Sequence, residues 1–178
     1  MAGYRVLITG ASSGIGRGLS RALAPGNKLL LTGRSAERLA EVAAETDAAQ
    51  FLAGDITECI EDLAQAAASL GTSPLILVLN AGVFASSDLA ELSTATVEES
   101  LKTNLLAPIL LTKAVWPDLS QHGGKLIVIS SIAARECYPG STVYGATKAG
   151  LSHFARTLGL ECPPNVSIHL FEPGAIDT

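Results

Sequence analysis

Tyr144 and Lys148 are four residues apart, a spacing that stacks both side chains on one face of a helix. A free phenol has a pKa of about 10 and is a poor proton donor or acceptor at neutral pH. A neighbouring ammonium stabilises the phenolate and draws the phenol towards working pH. Just upstream, KLIVIS (125–130) reads as a buried strand, and Ser131 sits past its carboxyl end. In parallel α/β sheets, ligands bind outside that end. A hydroxyl there, with a phenol and an amine on the next helix, would polarise and protonate a carbonyl. Alone, Tyr-x-x-x-Lys is common by chance and more often marks a solvated helix face, so the reading depends on the elements that place these residues.

The chain opens with YRVLIT (4–9), a short β-rich run ending in GASSGIG (10–16), followed by a helical pattern from Gly14 to Ala24. This is strand, glycine turn, helix. Gly10 permits a tight turn, while Gly14 and Gly16 let the backbone approach a ligand. The helix start then offers unpaired N–H groups and a positive dipole end to a phosphate, with Ser12, Ser13 and Ile15 in the same turn. KLLLT (28–32) is the second strand, closed by Gly33-Arg34. Arg34 lies near where an acidic residue would hold the adenosine ribose of NAD, and its guanidinium suits a 2′-phosphate instead. NADP(H) is therefore expected over NAD(H).

The pattern then repeats, with a helix over 36–45, a strand QFLAG (50–54) ended by Asp55, a helix over 58–70, and LILVL (75–79) ending in Asn80-Ala81-Gly82. Residues 96–119 read as one long helix with a fault. Pro108 has no N–H for the Asn104 carbonyl, which makes that carbonyl a candidate water site. A helix over 144–160 and a strand VSIHLF (166–171) complete six strands alternating with five helical segments. The expected fold is a Rossmann-type doubly wound parallel sheet of order 3-2-1-4-5-6 with helices on both faces, all in one domain over 1–178.

The apolar content, 48%, is mostly Ala, Leu, Ile and Val, as buried parallel strands require. The net charge of −5 argues against nucleic-acid binding or an anionic membrane surface. Cys59, Cys137 and Cys162 are odd in number and widely spaced, and the histidines form no ligand pattern. Reduced thiols in the cytoplasm and no metal site are expected. The first strand starts at once, leaving no room for a signal peptide, and the apolar run 105–111 is too short to span a bilayer.

These motifs together resemble the short-chain dehydrogenase/reductase family over essentially the whole chain. Thr9-Gly10-x-x-x-Gly14-Ile15-Gly16 matches its cofactor fingerprint and Asn80-Ala81-Gly82 its Asn-Ala-Gly motif. Asn104, Ser131, Tyr144 and Lys148 match its catalytic tetrad, and Pro173-Gly174 with Thr178 its late Pro-Gly-x-x-x-Thr segment. The resemblance implies that Asp55 and Ile56 flank the adenine and that Asn80 supports the strand and the adenosine ribose. It implies that Lys148 holds the nicotinamide ribose and lowers the pKa of Tyr144, the acid/base. Ser131 would hydrogen-bond the same substrate oxygen, and Ile176 and Thr178 would meet the nicotinamide carboxamide and its phosphate. The implied activity is interconversion of a carbonyl and a secondary alcohol, in a homodimer or homotetramer built on the helices over 96–119 and 144–160. Family members usually run on into a substrate loop and a seventh strand. A chain stopping at Thr178 is therefore expected to be a fragment or an abbreviated member with an open sixth-strand edge. The competing expectation is a dinucleotide-binding module or oligomer subunit without turnover. A Rossmann-type methyltransferase would not call for Tyr144 and Lys148 beside Ser131.

Overall fold

A computed structural model describes residues 3–46 and 50–176. Six parallel strands run β1 (Arg5–Thr9), β2 (Lys28–Gly33), β3 (Gln50–Ala53), β4 (Leu75–Leu79), β5 (Gly124–Ile129) and β6 (Val166–Phe171). They form one sheet in the order β3-β2-β1-β4-β5-β6, the predicted order. The register pairs Val6 with Leu29 and Ile76, and Leu77 with Leu126.

Alternation along each strand divides the core in two. Leu7, Leu30, Leu75, Leu77 and Val128 face α3 (Ile60–Ser69), α5 (Ala107–His122) and α6 (Thr142–Glu161). Val6, Ile8, Leu29, Leu31, Ile76 and Val78 face α1 (Gly14–Leu23) and α2 (Ala36–Thr46). Both faces being covered is why β1 and β4 are buried at every position rather than alternating, and why β4 is apolar throughout. At the amino end of the sheet, Arg5 is fully buried. Its guanidinium donates to the Ser73 carbonyl at 2.6 Å and the Ala67 carbonyl at 3.2 Å, and pairs with Asp118 at 2.9 Å.

The predicted single helix over 96–119 is a correction. Two helices stand there, α4 (Thr94–Leu101) and α5, joined by a π-helical turn over Lys102–Leu106. Pro108 falls in the first turn of α5, a position that tolerates proline, and the ladder widens in the turn before it. The fault expected at the proline is thus spread over the five residues that contain Asn104. Among the described residues, no helix is long and apolar enough to cross a membrane.

Candidate active site

The carboxyl ends of β1 and β4 are where the strand order reverses, and they are stitched together side by side. Thr9 Oγ1 donates to the Val78 carbonyl at 3.1 Å and accepts from the N–H groups of Asn80 at 2.9 Å and Ala81 at 3.0 Å. Asn80 Nδ2 returns the bond to the carbonyls of Thr9 at 3.0 Å and Gly10 at 3.2 Å. Asn80 is thus a strand clasp, as the first half of its expected role requires.

Above this clasp lies a cleft of about 1190 Å³. Gly10 turns with φ +66°, and a Cβ there would stand 2.9 Å from Ala81 Cα. A Cβ at Gly16 would fall on the Gly10 carbonyl and stand 2.7 Å from Asn80 Nδ2. Glycine at these two positions is what lets α1 begin directly on the turn. Ser13 precedes α1 in extended conformation without a side-chain cap, so the first-turn N–H groups are left for a ligand. Ser12, Ser13, Gly14 and Ile15 line the cleft beside Gly10.

At the ends of β2 and β3 the lining is charged. Arg34 is exposed and stands 3.8 Å from Glu99. Arg38, in the first turn of α2, lines the same end and was not singled out from the sequence, although its four-residue spacing from Arg34 was visible there. Asp55 accepts from the Thr57 N–H at 2.9 Å and the Thr57 hydroxyl at 2.8 Å, and these bonds lower its pKa. Ile56 is buried next to it and also lines the cleft. Thr32 Oγ1, in the floor at the end of β2, is buried without a hydrogen-bond partner.

The other end brings the predicted reactive residues together. Ser131 follows β5 and opens a single 3₁₀ turn over Ile132–Ala134. Its hydroxyl oxygen accepts from the Ala133 N–H at 3.1 Å, which leaves its proton to be given elsewhere. Tyr144 lies in the first turn of α6, half-buried, with the Phe84 ring edge-on at 4.9 Å. Lys148 Nζ sits 5.7 Å from the Tyr144 ring centroid and donates to the Ile129 carbonyl at 3.1 Å. Lys148 is only 4% exposed, and burial pushes its pKa down to about 8.

Asn104 is fully buried and acts through its side chain. Its Oδ1 accepts from the Val83 N–H at 2.8 Å, and its Nδ2 donates to the Val83 carbonyl at 2.9 Å and to Thr147 Oγ1 at 3.2 Å. Asn104 therefore ties the π-helical turn to the strand β4 exit and to α6. This side-chain link, spanning 21 and 43 residues, was invisible in the sequence, where Asn104 stood out for its carbonyl and its place in the tetrad. A Cβ at Gly82 would stand 3.2 Å from Asn104 Oδ1 and 3.6 Å from Lys148 Nζ, so Gly82 leaves the space in front of both open.

Pro173, Gly174 and Ile176 line the cleft past β6, and the Ile132 N–H donates to the Pro173 carbonyl at 2.9 Å. Glu172 holds that loop, pairing with Arg135 at 2.9 Å and Arg156 of α6 at 2.8 Å. Thr178 lies outside the described residues. Cys137 is exposed and does not line the cleft.

A parallel sheet whose strand order reverses under a glycine turn, with a phenol, an amine and a hydroxyl across the same cleft, defines a dinucleotide-dependent oxidoreductase architecture. The family model for short chain dehydrogenases matches residues 4–178. Serine 3-dehydrogenase of Agrobacterium fabrum is 36% identical over 181 residues, covering 97% of this chain and 72% of that protein. A short-chain dehydrogenase from Streptomyces avermitilis superposes with a TM-score of 0.91 at 31% identity, covering 100% of this chain and 68% of the other. A metagenomic short-chain oxidoreductase solved in complex with NADP gives 0.91 at 30% identity, covering 98% and 83%. The chain belongs to the short-chain dehydrogenase family and is an NAD(P)-dependent oxidoreductase.

The residues present fit a nicotinamide dinucleotide. Side chains at Gly10 and Gly16 would fill the cradle, the first turn of α1 is uncapped, and the Thr32 hydroxyl stands unpaired in the floor.

Proposed function

We propose that the chain is an NADPH-dependent reductase that interconverts a small carbonyl compound and a secondary alcohol, with Tyr144 as acid/base. The observation that carries this reading is that Ser131, Tyr144 and Lys148, distant in sequence from the glycine turn, line the same cleft with it. Gly10, Ser12, Ser13, Gly14, Ile15 and Gly16 hold the diphosphate. Asp55 and Ile56 flank the adenine, and Asn80, Ala81 and Gly82 line the ribose path. Pro173, Gly174, Ile176 and, outside the described residues, Thr178 hold the nicotinamide end. Arg34 reads the 2′-phosphate, with Arg38 one helical turn behind it. The NADP complex of the metagenomic relative supports that preference.

When bound, the cofactor supplies or accepts the hydride at the substrate carbon. Ser131 donates its hydroxyl proton to the carbonyl oxygen as a hydrogen bond, which orients it. Tyr144 gives its phenolic proton to the same oxygen, and the Lys148 ammonium stabilises the phenolate left behind. Buried Lys148 is fixed by the Ile129 carbonyl, so its charge arrives already oriented. Asn104 positions the strand β4 exit against α6, and its main-chain carbonyl, denied a donor by Pro108, holds a water; Lys148 passes a proton to the Tyr144 phenolate and regains one through that water. In the alcohol-oxidising direction each proton moves the other way.

A homodimer or homotetramer through α4, α5 and α6 fits the exposed Leu101 of α4, Leu110 of α5 and Leu160 of α6. The free thiols of Cys59, Cys137 and Cys162 fit a reducing cytoplasm. The test is NADPH consumption by the purified chain against a broad panel of ketones and aldehydes. Steady consumption with at least one carbonyl compound is expected. Tight NADPH binding with no turnover across the panel would overturn this reading in favour of a non-catalytic dinucleotide-binding module.

A further inference from the structure

Three of the four charged groups of the cleft stand on one side of it. Among the described residues, its charged lining consists of Arg34, Arg38, Asp55 and Lys148. The first three stand at the ends of β2 and β3, on the far side of the glycine turn from Tyr144. Lys148 is buried and held by the Ile129 carbonyl. Around Tyr144 the lining is uncharged, with Phe84, Ile132, Tyr138 and Pro139 as its apolar part and Ser86 and Ser141 beside them.

That apolar wall is open and built. Phe84 is 65% exposed, Ile176 50% and Tyr138 45%, although each borders the cleft. The two loops carrying Phe84 and Tyr138 are joined, the Ser87 N–H donating to the Gly140 carbonyl at 3.1 Å. Gly140, at φ +76°, lets them meet, since a Cβ there would stand 2.8 Å from Ser86 Oγ. The nearby charges are engaged and do not line the cleft. Glu136 accepts from the Tyr138 hydroxyl at 2.7 Å, Arg135 pairs with Glu172 at 2.9 Å, and Glu91 accepts from the Ser87 hydroxyl at 3.2 Å.

Resting on the reductase reading above, we infer that this site takes a neutral carbonyl compound with an aromatic or bulky apolar body, and disfavours one bearing a carboxylate or phosphate. An apolar body seated on the Phe84 and Tyr138 rings leaves water and gains edge and face contacts. An anionic body would lose its hydration with no free cation to replace it. Arg34 and Arg38 are out of reach at the opposite end of the cleft.

The experiment compares benzaldehyde with 4-carboxybenzaldehyde under saturating NADPH, and in parallel measures calorimetric binding of the unreactive analogues benzamide and 4-carbamoylbenzoate. The neutral member of each pair is expected to be favoured by about tenfold or more, in kcat/KM and in Kd. The Phe84→Ala variant should raise KM for benzaldehyde about tenfold relative to its effect on acetaldehyde, which has no ring to seat. Equal or better use of the carboxylated aldehyde, or equal binding of the two amides, would overturn the inference while leaving the reductase reading intact. Preferential binding of benzamide without turnover of any aldehyde would do the opposite.

Discussion

At the glycine-turn end of the cleft the lining groups are main-chain amides and exposed guanidinium groups. At the Tyr144 end they are side chains locked into a buried network. Gly10 and Gly16 work by what they lack, and Arg34 reaches into solvent 3.8 Å from Glu99. By contrast, Lys148 is pinned to Ile129, Asn104 to Val83 and Thr147, and Ser130 Oγ donates to the Lys148 carbonyl at 3.0 Å. Ser152 Oγ in turn donates to Ser130 Oγ at 2.8 Å. The first end presents a shape that any dinucleotide phosphate can use. The second fixes a charge and a phenol relative to each other, as a reaction requires and binding alone does not.

The contrast can be broken most severely at Gly16. Gly16→Val places a branched side chain on the Gly10 main chain, and should cost upwards of about 4 kcal/mol of stability and abolish measurable NADPH binding. Calorimetric unfolding and a cofactor titration check this. A variant with native affinity would show that α1 does not need to start on the turn.

The Tyr144 end is sharpened by pH. Burial penalises the charge of folded Lys148 and lowers its pKa to about 8, against 10.5 for the free side chain. Below both values folded and unfolded chains carry the same proton and the penalty is whole. Between them the unfolded chain binds more protons, so stability rises with pH across that window. The difference between wild type and Lys148→Met should therefore shift by about 3 kcal/mol from pH 8 to 10.5. Parallel stability curves for the two proteins would mean that Lys148 is not buried as a cation.

The smallest effect is expected at the exposed guanidinium. Arg34→Asp should shift the ratio of NADPH to NADH affinity by about tenfold towards NADH, roughly 1.4 kcal/mol, because the interaction is solvated and Arg38 remains. An unchanged ratio would place phosphate recognition elsewhere.

The same contrast explains what was legible in the sequence. Strand order, glycine turn and the positions of Ser131, Tyr144 and Lys148 follow from local pattern, because alternation and turn chemistry act over a few residues. Ser131 and Tyr144 could be placed because each directly follows or opens an element. The Asn104 side-chain clasp, the Glu172 pairs and the apolar wall of Phe84 and Tyr138 depend on contacts across tens of residues, and no local pattern encodes them. The helix over 96–119 was half-legible. Pro108 marks a fault, but whether the ladder kinks or widens into a π-turn is decided by what packs around Asn104.

The most direct test of the account is Tyr144→Phe, which removes the phenolic proton and keeps the ring that meets Phe84. With a carbonyl compound that the wild type reduces, turnover should fall by about a thousandfold while NADPH affinity stays within about twofold. A variant that reduces the same compound at the wild-type rate would contradict the assignment of Tyr144 as the acid, and with it the central claim that the buried end of this cleft exists to move a proton.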